Sequence, residues 1–445
     1  MNKQFYVGCG KEIITPPLNT LLYGYSDKRP ASSVLDDLTV NAIAFKQADI
    51  NGIMISADIC SITKETVEKI RETIFKETGV PKDNISFSCT HTHSGPAIKG
   101  SGGWGVPNME YIDNILIPQT VKSAKKAVST LTPAQMGVSK VNSLVGINRR
   151  EYRLDGTIKL GQNPSGVQDN VMTVISFRSL TGENIVNMIH YSCHGTSAGR
   201  TTDITRDWPG FMVDELQEIS GAQSVFFNGS EGDVGPRLSN NETTGDTFDK
   251  NERPIASTNK YIKEIGSLAA IDAVRAFRDI KEYRDVDFNI IKGEIALPYK
   301  PIPTLEEAQE KLEKLGAPEN LFEVEKREYQ ALQDTIKLHK ANFKFEKEMK
   351  FNQVMFAFNS TIFVPFPFEV FSQIALRLRK FSPYENTLCL CNTNDSLFYL
   401  PSQEEIARGG YEIEVFLYAN VNKLKNNTDD TIILENLRLM NEYNK

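Results

Sequence analysis

Residues 40–58 read VNAIAFKQADINGIMISAD, and this stretch, taken with the helix and strand next along the chain, decides the architecture. Val40–Lys46 and Gly52–Asp58 are apolar runs of strand length, and the polar Gln47–Asn51 between them suits a hairpin turn. From Thr63 to Thr78 the period changes: Val67, Ile70, Ile74 and Phe75 fall at helical spacing, Gly79 ends the helix and Pro81 comes just after it. Ile85–Thr92 returns to strand. Strand and helix alternating over so short a span predict an α/β architecture, read as one large domain over residues 1–445.

Working outward, Met109 to about Leu131 is a second helix. Val171–Phe177 and Asn184–Ser192 are buried strands joined at Thr181-Gly182. Pro209–Ile219 is helical, Ser224–Phe227 is a short strand entering a glycine-rich loop, and Asn240–Pro254 is an exposed polar loop. Thr304–Lys350 is dense in Lys and Glu and broken at Gly316-Ala317-Pro318, which predicts a charged helical excursion with a solvated face. Strands at Val354–Phe358 and Thr361–Phe366, a helix at Val370–Lys380, a strand at Leu388–Cys391 and a helix near Thr431–Tyr443 complete the chain.

The 445 residues hold 50 Lys+Arg against 57 Asp+Glu, a net charge of −7, which argues against a general nucleic-acid binder. Six cysteines without a CxxC pair read as reduced, mostly buried thiols. The opening MNKQFYVGCG has no apolar core of signal-peptide type, and no stretch approaches the ~18 apolar residues of a membrane span. The expectation is a soluble, cytoplasmic protein.

Four of the five histidines fall in two short groups at predicted strand ends. In Cys89-Thr90-His91-Thr92-His93-Ser94-Gly95-Pro96 the i, i+2 spacing would put both imidazoles on one face of a strand. In the second group His194 closes an apolar strand before Gly195, while His190 reads as core; His339 reads as surface. Imidazoles and carboxylates at strand ends are ligands for zinc-like cations. Asn228–Arg237, NGSEGDVGPR, could turn its N–H groups towards an oxyanion. Glu369 ends the apolar FVPFPFE of 363–369, where it either binds a partner or metal or begins the next helix.

Together these pieces resemble the neutral (non-lysosomal) ceramidase family, zinc-dependent amide hydrolases that cleave ceramide into sphingosine and fatty acid. The matching motifs are THTHSGP at 90–96, INRR at 147–150, HGTS at 194–197, GDVGP at 232–236, FPFE at 366–369, and Tyr399 with Tyr411-Glu412. The resemblance implies mixed β-sheets flanked by helices. It also implies zinc held by His91, His194, Glu369 and Tyr399, with His93 a non-ligand active-site residue, Arg149 contacting substrate and Tyr411 holding the reacting carbonyl. Gly235 stands where the family carries a serine and Arg237 where an Asn is usual, which points to a changed substrate. The matching motifs run to Glu412, and the immunoglobulin-like domain that comes after the catalytic domain in full-length ceramidases is not expected within residues 1–445.

The implied reaction is hydrolysis of a carbon–nitrogen amide, with hydroxide generated at zinc and His93 protonating the leaving amine. The substrate would be N-acylsphingosine or a related lipid or small-molecule N-acyl amide. A zinc hydrolase of a different small amide or ester, and a catalytically silent metal-binding homologue, are the alternatives.

Overall fold

The computed structural model of the chain describes residues 4–25, 29–100, 106–240, 260–321, 323–418 and 421–443. The expected exposed loop at Asn240–Pro254 lies, beyond Asn240, outside the described residues.

A mixed eight-stranded sheet is built from β1 (Phe5–Ile13), β2 (Thr39–Gln47), β3 (Ile50–Ala57), β4 (Ile85–Cys89), β5 (Thr132–Asn142), β6 (Val171–Ser179), β7 (Asn184–Tyr191) and β8 (Gln223–Asn228), in the order β8-β7-β6-β5-β1-β2-β3-β4. β7/β8 and β3/β4 are parallel; the other pairs are antiparallel. A second sheet runs β9 (Phe288–Pro298), β10 (Glu348–Phe358), β11 (Thr361–Pro365), β12 (Asn386–Leu390), with only β11/β12 parallel.

The pleat sorts side chains into layers. In β2, Val40, Ala42 and Ala44 face one way, towards the helices α1 (Lys64–Thr78) and α2 (Ile117–Ser129). Ile43 and Phe45 face the other way and meet Phe288, Phe356 and Phe358 of the second sheet. On the helical side of β6–β8 lie α3 (Trp208–Ser220) and α4 (Lys260–Arg278). The second sheet alternates likewise: Met355 and Ala357 turn from the aromatic core towards α7 (Ser372–Phe381) and α9 (Thr428–Tyr443). The result is helices, large sheet, small sheet, helices, the mixed sheets with flanking helices that the motifs imply.

Local signals agree with the elements they predict. Thr63 caps α1 by accepting from Thr66 N, and Gly79 closes it at φ +73°, a left-handed conformation that costs glycine little. The predicted Met109 helix forms with a π-helical turn, Ile112–Leu116, just before Pro118, whose ring nitrogen has no hydrogen to donate. The charged excursion forms two helices, α5 (Leu305–Leu315) and α6 (Glu323–Lys340), pinned together by Ala308, Leu332 and Ile336.

The large sheet curls until its edges meet. Asn228 at the end of β8 donates to the Thr90 carbonyl just past β4 at 3.0 Å, and Ser56 Oγ in β3 donates to the Phe226 carbonyl at 2.6 Å. The carboxyl ends of β4, β7, β8, β11 and β12 are thereby gathered at one place, where crevices form in α/β proteins.

Candidate metal centre

Each strand end contributes a side chain. β4 stops at Cys89, and His91 lies beyond it with φ +66°, so the pleat of a strand does not align the two histidines as expected. They meet because the chain turns: Nε2 of His93 is 3.2 Å from Nε2 of His91. The turn is held by His91 N–H on the Ile59 carbonyl at 3.0 Å and by a Thr92–Gly195 bridge. His194 lies just past β7, its carbonyl accepting from Trp208 Nε1 at 2.8 Å. Glu369 and Tyr399 face one another as register partners in a parallel two-residue ladder, Glu369–Val370 with Tyr399–Leu400.

These side chains converge. Glu369 Oε2 is 3.5 Å from His91 Nε2 and 3.2 Å from His194 Nε2, and the three atoms lie within 4.8 Å of one another. Both histidines are buried. His91 Nδ1 donates to the Cys60 carbonyl at 2.7 Å, and His194 Nδ1 to the carbonyls of Glu231 and Val234 at 2.8 and 3.1 Å. Those bonds fix the tautomer and direct each Nε2 lone pair inward, the arrangement in which metal-binding imidazoles are held.

Electrostatics mark a site that draws positive charge: burial opposes a charged His91, yet Cys60 and Glu369 beside it hold its pKa well above the usual histidine range, so its Nε2 takes up a proton where no cation is held. Burial and the Arg149 guanidinium push His194 down to about 3, leaving it neutral. Burial, His91 and His194 hold His93 well below the usual histidine range. Burial opposes the charge on Glu369, yet the two rings beside it keep its carboxyl well below the usual carboxylate range. Its Oε2 is nevertheless buried without a hydrogen bond among the described residues. An ionised, buried carboxylate oxygen with two imidazole Nε2 atoms within 3.5 Å fits a divalent cation that takes the place of the His91 proton, so His91, His194 and Glu369 could hold one.

The other expected residues stand around this point. Arg149 donates through Nη2 to Tyr399 OH at 3.0 Å, and its Nη1 is 2.9 Å from His194 Nε2. It is anchored through Nε on Glu412 Oε1 at 2.9 Å; the other Glu412 oxygen takes Arg150 Nη1 at 2.7 Å. Tyr411 begins α8 (Tyr411–Tyr418), its ring 5.8 Å from that of Tyr399. Burial raises both phenols, which stay protonated and able to donate. Gly235 pairs with Ile147 beside Arg149, and a Cβ built on it would sit 3.7 Å from Arg149 Cβ, in open contact.

Sequence reasoning passed over other residues here. Asn392, just past β12, donates to Glu231 Oε1 at 2.8 Å and lies 3.2 Å from His91 Nδ1. Cys60 Sγ stands 3.5 Å from that same nitrogen. A cavity of about 490 Å³ opens over the cluster, and Arg327, Gln330, Ala331 and Asp334 of α6 form one of its walls. The excursion expected to present only a solvated face therefore also lines the cavity. The i, i+3, i+4, i+7 spacing of those four residues was the signal available.

The fold and these loops define a mixed α/β protein with a candidate metal centre at its strand ends. No protein-family model matches the chain. In sequence it is 26% identical over 262 residues to neutral ceramidase A of Dictyostelium discoideum, covering 53% of this chain and 36% of that protein. Against neutral ceramidase B of the same organism it is 26% identical over 223 residues, 44% of this chain and 30% of that one. The match thus spans about a third of these relatives' own length. In structure it is similar to neutral ceramidase from Pseudomonas aeruginosa, with a TM-score of 0.73 at 18% identity over 99% of this chain and 74% of that one. A ceramidase complexed with C2 gives 0.70 at 17% identity, over 97% and 74%. The resemblance to the neutral ceramidase family is borne out: the chain is a relative of these proteins and shares their fold.

Proposed function

We propose that the chain is a metal-dependent hydrolase of carbon–nitrogen amide bonds, ceramidase-like in chemistry, with zinc held by His91, His194, Glu369 and Tyr399. The observation that carries this reading is the convergence of two tautomer-fixed Nε2 lone pairs and one undonated carboxylate oxygen within 4.8 Å. A divalent cation bound there would supply Lewis acidity and bring water ionisation towards neutral pH.

The remaining chemistry belongs to the chain. Tyr411, protonated and at the cavity wall, donates towards the oxygen of the reacting carbonyl as negative charge develops there. Arg149 orients Tyr399 through Nη2 and presents a fixed positive charge beside the substrate. The neutral His93 takes a proton at Nε2 from the attacking water and delivers it to the leaving amine, without which the C–N bond would not break. Gly235, in place of the family's serine, changes what surrounds the substrate and leaves the ligand set untouched.

The test is metal analysis of the purified chain together with release of a primary amine from N-acyl amides such as N-acylsphingosine. Stoichiometric zinc that disappears in His91→Ala and His194→Ala, with amine release abolished by a chelator, is the expected result. Retention of metal by both variants would refute the ligand set. Release of an alcohol instead of an amine from mixed probes would replace the amidase by an esterase.

A further inference from the structure

The wall that α6 presents to the cavity is polar, whereas Leu397, Phe398, Val415, Tyr418 and Val421 line other parts of it. The four positions of the α6 wall carry Arg327, Gln330, Ala331 and Asp334, while the apolar Leu332 and Ile336 on the far side of the helix are spent against α5. Packing an alkyl chain on this wall would strip water from two charged groups without replacing their hydrogen bonds. Asp334 is engaged, accepting from Gln330 Nε2 at 3.2 Å. Arg327 is exposed, has no ion-pair partner among the described residues, and lines the same cavity as Tyr411, whose helix α8 packs against α6. Lys99 brings a second cation to the same cavity, its Nζ donating to the carbonyls of Ser396 and Leu397.

Resting on the amidase reading, we propose that the cavity takes an N-acyl amide bearing a carboxylate near the scissile bond, recognised by Arg327 with Lys99 in support. A guanidinium offers a carboxylate two parallel N–H donors, and Arg327 lines one cavity with Tyr411, which places a bound anion in the same space as the reacting carbonyl. A cavity of about 490 Å³ lies within the range of small-molecule sites. The carboxylate can belong to the acyl or the amine half of the substrate, and the experiment separates the two.

Probes that keep the scissile bond and change only the charge provide the test. N-glutaryl against N-valeryl 4-nitroanilide examines an acyl-borne carboxylate; 4-acetamidobenzoate against acetanilide examines an amine-borne one. One anionic member is expected to exceed its neutral partner in kcat/KM by about tenfold or more, the ratio falling about tenfold in Arg327→Met and recovering in Arg327→Lys. Ratios at or below unity in both pairs, with neutral amides cleaved, overturn the inference and leave the amidase reading standing.

A binding arm is independent of turnover. Glutarate and 4-acetamidobenzoate are titrated calorimetrically into the full chain, and at least one is expected to bind. Its Kd should weaken about tenfold in Arg327→Met and tighten in Asp334→Asn, which removes the competing charge. Failure of both probes to bind, or equal binding by Arg327→Met, overturns the inference whatever the hydrolysis result. Binding that depends on Arg327 with no amide cleaved would uphold the anion subsite and sink the amidase reading.

Discussion

Nη1 of Arg149 lies 2.9 Å from Nε2 of His194, the same ring nitrogen that stands 3.2 Å from Glu369 Oε2. A guanidinium only donates, so this nitrogen must be the unprotonated one, in agreement with the Nδ1 proton directed at the Glu231 carbonyl. One lone pair cannot serve Arg149 and a cation together. Cation binding would therefore release Nη1 towards the substrate while Nε stays on Glu412. Arg149→Met is expected to keep any bound metal but lose about 10²-fold in kcat/KM, and to lose about 2 kcal/mol of stability, because Glu412 remains buried with Arg150 as its one ion-pair partner among the described residues. Metal analysis, kinetics and denaturant unfolding read the three effects; loss of that metal would show that Arg149 supports the ligands instead.

Removing the Tyr411 hydroxyl tests the carbonyl donor. Tyr411→Phe preserves the ring that packs beside Tyr399 and should retain metal and fold while turnover drops about 10²-fold. An unchanged rate would take Tyr411 out of the reaction.

Gly235→Ser restores the family's residue at a position with room for it. The nearest atoms to its Cβ would be Arg149 Cβ and Cδ at 3.7 and 3.8 Å, ordinary contact distances, so stability should change by less than about 0.5 kcal/mol. Turnover of ceramide is expected to rise. If it does not, other residues of the pocket decide the substrate.

The buried His190 supplies a pH prediction away from the site. Its Nε2 donates to the Cys389 carbonyl at 2.8 Å and its Nδ1 has no partner among the described residues; burial lowers its pKa from 6.5 to about 4. The unfolded chain takes up this proton first on acidification. The associated stability, roughly 3 kcal/mol, is whole above about pH 6.5 and is lost as pH falls towards about 4. Unfolding curves across that window should show a correspondingly smaller loss in His190→Gln; an identical pH dependence would mean that the ring titrates alike in both states.

The elements written most plainly in the sequence are those whose signals are local. The β2–β3 hairpin, the Thr63 cap and the Gly79 stop of α1, and the burial of His190 are all set by residues a few positions apart. β1 is harder to read because Gly8 and Gly10 interrupt it. Both are bare because α2 crosses directly over them, the backbone of Ala127 and Ser123 occupying the space of a Cβ. α4 carries a legible stripe, Ile262, Ile265, Ala269 and Ala273, that reading the sequence for strands and motifs passes over.

For the candidate site, the sequence by itself determined the chemical types: paired histidines, a carboxylate after an apolar strand, two tyrosines and an arginine. Tertiary structure decided their meeting. The edges of the curled sheet join through Asn228 and Thr90, 138 residues apart, and the Glu369–Tyr399 ladder sets two candidate ligands side by side. It also turned the Arg327 face of a charged helix inward over the cavity. Periodicity shows that a helix has two faces, but which one meets solvent depends on what the rest of the chain packs against it.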